Sequence, residues 1–325
     1  MTIDSSTERA QGNHSDRPHP VLIPLNRLQA ARFVRLGLTA AARLGLHVTY
    51  TGGAALVPAD PSADGPILGL SNLARAVSKY EEHRWPALIE EHFAELLHRL
   101  RKGPPLPPTD PERELIQRLV PRDALPAEWT ADRADFIPGL LSVPATAEDG
   151  VVTMFLDPSD FGVTWSDAER FGVTNLRRIP DHVEYIDRDD IRIALVTGTI
   201  FAASRALVLD TVLRESLHTE LPPYGVLAAV PARDLLLIHV IRDLSVIPAL
   251  GQMLNLASRS HTHDPGPLSP DVHLVTPTLE WHPATTPSPD STPLRLSPQL
   301  DTLTKLLARK EPPAPDRSAG QPNRP

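Results

Sequence analysis

The chain has 325 residues, a formal net charge of −8 and no Cys; 36 residues are Pro, about twice the usual share. The length supports one large domain or two modest ones with a sizeable core. Absence of Cys excludes disulfide scaffolds, Cys-ligated metals and thiol nucleophiles. The acidic balance argues against binding the phosphate backbone of nucleic acids.

Residues 1–20 are polar and without an apolar run, which excludes a secretory signal and predicts disorder. No later stretch approaches the run of about 18 apolar residues that a membrane span needs. A soluble, cytoplasmic protein is therefore expected. Its basic residues are mostly Arg beside abundant Ala and Pro, a coding bias of high-GC bacterial genomes.

Residues 25–45 read as an amphipathic helix with Ala30, Phe33, Val34, Leu38, Ala41 and Leu44 on one arc. A strand over 46–57 follows, interrupted by Gly52-Gly53. Ser71 is placed as the N-cap of a helix carrying Leu73, Ala76, Val77 and Tyr80. Pro86 opens another, with Ile89, Phe93, Leu96, Leu97 and Leu100 at core spacing and Glu95→Arg99 as an i,i+4 pair. Residues 21–103 thus form a mainly helical N-terminal subdomain. The Pro-rich residues 104–111 form a spacer before an α+β body over 112–282.

In the body, a short helix is expected over about 111–120, started by Thr109-x-x-Glu112. Residues 136–143 and 150–156 read as strands around a turn. Ser166-x-x-Glu169 is a capping-box pattern for a helix running to about Arg178. Strand-rich Ile191–Thr197 precedes Phe201–Leu217, a helix apolar nearly all round and so buried. Val226–Val230 and Leu235–Ile241 read as strands around Pro231-Ala-Arg-Asp234, with Pro231 at the second position of a tight turn and Asp234 accepting backbone N–H groups. A helix near 246–259 and a strand over 272–276 close the body. The elements do not alternate as βαβ, so the fold class is α+β with a mixed or antiparallel sheet packed with helices. Residues 283–325, with Pro at 10 of 43 positions, are expected to be a disordered tail apart from a marginal helical pattern at Leu296, Leu300, Leu303 and Leu307.

Three stretches resemble the YtpQ-like family of uncharacterised bacterial proteins. They are Leu70-Ser-Asn-Leu-Ala-Arg-Ala-Val77, the segment from Val163-Thr164 to Asn175-Leu176, and Gly198-Thr-Ile-Phe-Ala-Ala-Ser204 through Leu209-Asp210 to Val230-Pro-Ala-Arg-Asp234. The similarity spans about residues 60–245; the spacer and tail depart from it. It implies an α+β fold and no established activity or cofactor, so it carries over no catalytic residue.

Four constellations could bear chemistry. Glu95…His98 and Glu215…His218 are Glu-x-x-His pairs of the kind used by di-iron bundles, but they occur at about the chance rate for this composition. His261-Thr-His263-Asp264, with His273 and His282 downstream, has divalent-ion ligand types but borders a Pro-Gly loop. Ser204, His239 and Asp234 or Asp243 could make a triad, although Ser204 lacks the Gly-x-Ser-x-Gly elbow. Asp157 and Asp160 could hold a cation, yet Asp157-Pro-Ser also makes an Asx turn. None is coherent enough to assign a catalytic, cofactor-binding or metal site. The expected role is non-catalytic binding of a protein or small ligand; the alternative is an unrecognised hydrolase or metal-dependent enzyme using acidic residues and His.

Overall fold

The computed structural model describes residues 16–310 except 61, 63–64, 102, 104–105, 149–150, 189 and 288–294. Asn26 begins the first helix, α1 (Arg27–Arg43). Its side chain accepts the Gln29 N–H at 2.8 Å, while Gln29 accepts the Asn26 N–H at 3.1 Å. Ala30, Phe33, Val34 and Ala41 are buried along one stripe. A hairpin follows, β1 (Val48–Tyr50) and β2 (Ala55–Pro58), extended by β3 (Leu68–Gly69). Gly52, at φ +91°, supplies the turn that interrupts the strand expected over 46–57. Helices α2 (Ser71–Ser78) and α3 (Trp85–Arg101) complete the unit, with Phe33 meeting Trp85 edge-on at 6.3 Å. Ser71 is the first residue of α2 and not its cap; Leu70 holds the cap position without a side-chain bond.

The expected helix over 111–120 is a single turn, α4 (Pro111–Glu114), followed by strand β4 (Ile116–Pro121). Glu114 bends back to accept the Asp110 N–H at 2.7 Å and the Thr109 hydroxyl at 2.9 Å, which closes the turn. Beyond it, Gln117 and Leu119 point inward at strand spacing. After the one-turn α5 (Ala127–Thr130), β5 (Leu140–Glu148) and β6 (Val151–Met154) pair antiparallel beside β4. Thr164, two residues before the expected cap, starts α6 (Trp165–Leu176) by accepting the Asp167 N–H. Gly172 lets α6 lie on β4, because a Cβ there would sit 2.8 Å from the Gln117 nitrogen.

The hairpin β7 (His182–Arg188) and β8 (Ile191–Thr197) leads to residues 201–217, expected as one regular helix. The segment is instead a 3-10 stretch, Ala203–Val208, a single turn α7 (Leu209–Thr211), and a π turn, Val212–Ser216. Its polar groups bond outward to other elements: the Ala203 N–H to the Arg233 carbonyl at 3.2 Å and Ser204 Oγ to the Leu119 N–H at 2.9 Å. These anchors override the regular helical register.

The remaining elements are β9 (Val226–Ala232), β10 (Leu235–Val240), α8 (Val246–His263), β11 (Val272–Val275), β12 (Trp281–Pro283), β13 (Thr285–Thr286), β14 (Arg295–Leu296) and α9 (Pro298–Lys310). The main sheet is antiparallel in the order β12-β11-β9-β10-β8-β7. One face packs on residues 203–213 and on Leu119, Ile137 and Leu140; the other packs on α8 and α9. Both faces are covered, so every residue of β9 is buried and the strand shows no polar alternation. The fold is α+β, as expected from the sequence.

The β9–β10 turn is tighter than expected, with only Arg233-Asp234 between the strands. Pro231 lies inside β9 where the pairing shifts register between Leu235 and Leu237. A strand can lose an N–H at such a bulge without breaking its ladder. Asp234 is exposed and its carboxylate takes none of the described hydrogen bonds, contrary to the expected turn role. The N-terminal unit docks on the body through α2 and α8: Lys79 pairs with Asp264 at 2.6 Å and Arg75 Nε donates to the Thr262 carbonyl at 3.2 Å.

Part of each end expected to be disordered is ordered. Residues 16–20 are held by backbone bonds, including His19 N–H to the Leu25 carbonyl at 2.8 Å; residues 1–15 lie outside the described residues. Residues 295–310 form β14 and α9, which buries Leu300 and Leu307; residues 311–325 lie outside the described residues. The marginal helix forms because its leucine stripe finds the apolar face of α8 and the sheet. Leu300→Ala should therefore destabilise the whole domain by about 2–5 kcal/mol in urea denaturation. An unchanged midpoint would show that α9 does not dock.

Candidate functional site

Strands β8 and β10 pair only from Val196↔Leu236 to Ala194↔Ile238. Continued in register, the ladder would reach Ile191 and Ile241, but the strands splay instead. On the outer sides nothing opens: β8 stays paired with β7 to Ile191, and β10 with β9 to Val240. The wedge between them is a cavity of about 710 Å³. Ala194, Leu217, Ile238 and Val240 give it apolar walls. Arg192, Arg242, Asp190, Asp243 and Thr219 bring polar groups to it.

His239 stands where the splay begins. Its Nδ1 donates to the Arg192 carbonyl at 2.9 Å, a side-chain bond in place of the missing ladder bond. Because a carbonyl only accepts, the ring carries its proton on Nδ1 and Nε2 is left as an acceptor. Nε2 is buried and has no partner among the described residues. Burial is the largest influence on this imidazole and lowers its pKa, so the neutral form is held; the Arg192 carbonyl and Asp243 oppose that shift and Arg242 adds to it.

The cleft walls are fixed locally. Asp187 clamps Arg192 through Nε at 2.7 Å and Nη2 at 3.1 Å, and the guanidinium lies 4.8 Å from the centre of the Tyr185 ring. Asp243 accepts the Ser245 N–H at 2.9 Å at the start of α8. Bonds from the Ser245 hydroxyl and backbone hold that carboxyl below the usual carboxylate range, so it is charged at neutral pH.

The triad residues do not converge. Ser204 is buried with its hydroxyl committed to the Leu119 amide, and Asp234 is exposed at the far end of β10. Only His239 and Asp243 share the cleft. Among the Glu-x-x-His residues, Glu95 is paired with Arg99 on α3, whereas Glu215 and His218 lie at the π turn of the body. Asp264 is taken by Lys79 and by the Ser260 hydroxyl, and His263 is exposed. His273 is buried on β11 against Trp281, 5.9 Å between ring centres. Its strand neighbours Val272 and Leu274 belong to the α8 side of the sheet, so His273 points away from His261. His282 faces Glu280 at 3.7 Å. Among the described residues, no group of three or more His, Asp or Glu could hold a metal ion. Asp157 caps a short turn, accepting the Ser159 N–H at 3.0 Å and its hydroxyl at 2.5 Å, as an Asx turn requires.

Sequence reasoning missed Tyr185, Arg192, Thr219 and Arg242, which meet only because two strands part. A visible signal was His239 within Leu-Leu-Leu-Ile-His-Val, followed by Arg242-Asp243. The stretches Gly198–Ser204 and Val230–Asp234, which carry the family resemblance, do touch through the Ala203–Arg233 backbone bond. No helix of the described residues is long and apolar enough to cross a membrane. Comparison with protein-family models, with curated proteins and with solved structures gives no match.

Burial lowers the pKa values of His239 and His273 from the ordinary 6.5, so the folded state takes up protons less readily than the unfolded chain. Their contribution to stability is complete above the unfolded value and is lost as the pH falls towards the folded one. The melting temperature should accordingly decline as the pH drops below about 6.5, and less steeply in His239→Asn, which keeps a donor for the Arg192 carbonyl. The same pH slope in the variant would contradict this origin.

Proposed function

We propose that this chain is a soluble, cytoplasmic bacterial protein similar to the YtpQ-like family, and that it binds a small polar ligand in the β8–β10 cleft without transforming it. The observation carrying this reading is the composition of the cleft. Its volume of about 710 Å³ lies in the range of small-molecule sites, about 300–1,000 Å³. Yet of the residues singled out for chemistry, only His239 and Asp243 reach it. A catalytic constellation needs a nucleophile, base and orienting group within mutual reach; here Ser204 and Asp234 are employed or placed elsewhere. The cleft instead offers apolar walls and charges of both signs. That set suits a compact ligand with an apolar body and a hydroxyl or amino donor.

A thermal-shift screen of polar metabolites tests this. Ligands that raise the melting temperature of the parent should fail to do so in Thr219→Trp, whose indole would occupy the cleft. Hits indifferent to Thr219→Trp would place binding elsewhere. Turnover of an ester or phosphoester substrate that disappears in His239→Asn would replace the binding reading with a catalytic one.

A further inference from the structure

At the other end of β10 from the cleft, two arginines lie near enough for their like charges to interact. Arg118 projects from β4, and Arg233 occupies the β9–β10 turn. Both converge on the start of the 203–217 segment: the residue after Arg118 donates its N–H to Ser204, and the Arg233 carbonyl accepts the N–H of Ala203. Neither guanidinium has a carboxylate partner among the described residues. Arg118 makes one long bond, Nη1 to the Ile200 carbonyl at 3.4 Å, and lies 5.6 Å from the centre of the Phe201 ring. Arg233 leaves its Nε buried with no acceptor among the described residues. Its side-chain carbons are pinned by Gly266, where a Cβ would sit 2.6 Å from Arg233 Cδ.

This arrangement is unfavourable as it stands. Elsewhere in the body, half-buried arginines take carboxylates: Arg122 takes Asp135 at 2.6 Å and Arg177 takes Asp210 at 2.7 Å. Burial, and then the like charge of Arg233, pushes the pKa of Arg118 down to about 10. A guanidinium is the side chain best matched to planar, bidentate recognition of an oxyanion, and two of them around one anion remove both the repulsion and the unfilled donor.

We propose that Arg118 and Arg233 form an anion site for the phosphoryl group of a small phosphorylated ligand. The Phe201 ring beneath Arg118 restricts how that guanidinium can turn, and Gly266 does the same for Arg233. The site is thus built rather than improvised from mobile surface side chains. It is separate from the cleft and does not depend on what the cleft binds.

Inorganic phosphate is the probe, titrated into the full chain at constant ionic strength with chloride as the reference anion. Saturable binding is expected with a dissociation constant of about 1 mM or tighter, and binding should weaken by about tenfold or more in Arg233→Gln and in Arg118→Met. Arginine Nε–H NMR provides a readout on the unsubstituted protein: the Arg233 signal should move with phosphate and stay fixed with chloride. Phosphate binding of equal strength in Arg233→Gln, or an Arg233 signal unmoved by phosphate, would overturn the proposal. A response matched by chloride would also overturn it, as general screening.

Discussion

The arrangement of the body hangs on one buried ion pair. Arg205 meets Asp181 edge-on, Nε to Oδ1 and Nη2 to Oδ2 at 2.9 Å each, with both side chains only 2% exposed. Two further bonds surround the pair. Arg205 Nη1 donates to the Leu176 carbonyl at the end of α6 at 2.6 Å, and the Ser216 hydroxyl donates to Asp181 Oδ2 at 2.5 Å. Four pieces of chain meet there: the end of α6, the loop into β7, the 3-10 stretch and the π turn. A buried pair of this kind earns little net stability over apolar packing, but breaking it strands a charge in the interior. Its effect is to specify an arrangement: Ser216 is drawn towards Asp181, and the π turn positions Leu217 and Thr219 as a wall of the cleft.

The cleft is the second consequence of local bonds outweighing regular geometry. β8 and β10 could have paired to their ends. His239 substitutes its ring for a backbone donor, and Arg192 is held on the β7 side by Asp187. The sheet thereby gains an opening at one end while the other faces stay closed over α8, α9 and the broken helix. Rigid walls of this origin favour a ligand whose shape matches an existing space, because little ordering is required on binding.

Much of this fold was legible in the sequence wherever apolar periodicity acted alone. The stripes of α1, α3 and α8 and the apolar runs of β8, β9 and β10 lie where the pattern puts them. Periodicity failed where a polar side chain reached outside its own element. Phe201–Leu217 reads as a helix until Ser204, Arg205 and Ser216 are given distant partners. Residues 111–120 read as a helix until Glu114 closes on Asp110. α9 was undervalued because its amphipathic stripe is stable only against a surface supplied by α8 and the sheet. Of the site, His239 stood out as a titratable group in an apolar strand, whereas Arg192 and Thr219 join it only through strand splay, which leaves no mark on composition.

A double-mutant cycle on Asp181 and Arg205 tests the dependence of the body on that pair most directly. Asp181→Leu and Arg205→Met should each cost about 3–5 kcal/mol in urea denaturation, while the combined variant recovers most of that loss, since no charge then remains uncompensated. Single substitutions that cost little, or whose costs simply add in the double variant, would contradict the claim that this ion pair holds the body in its arrangement.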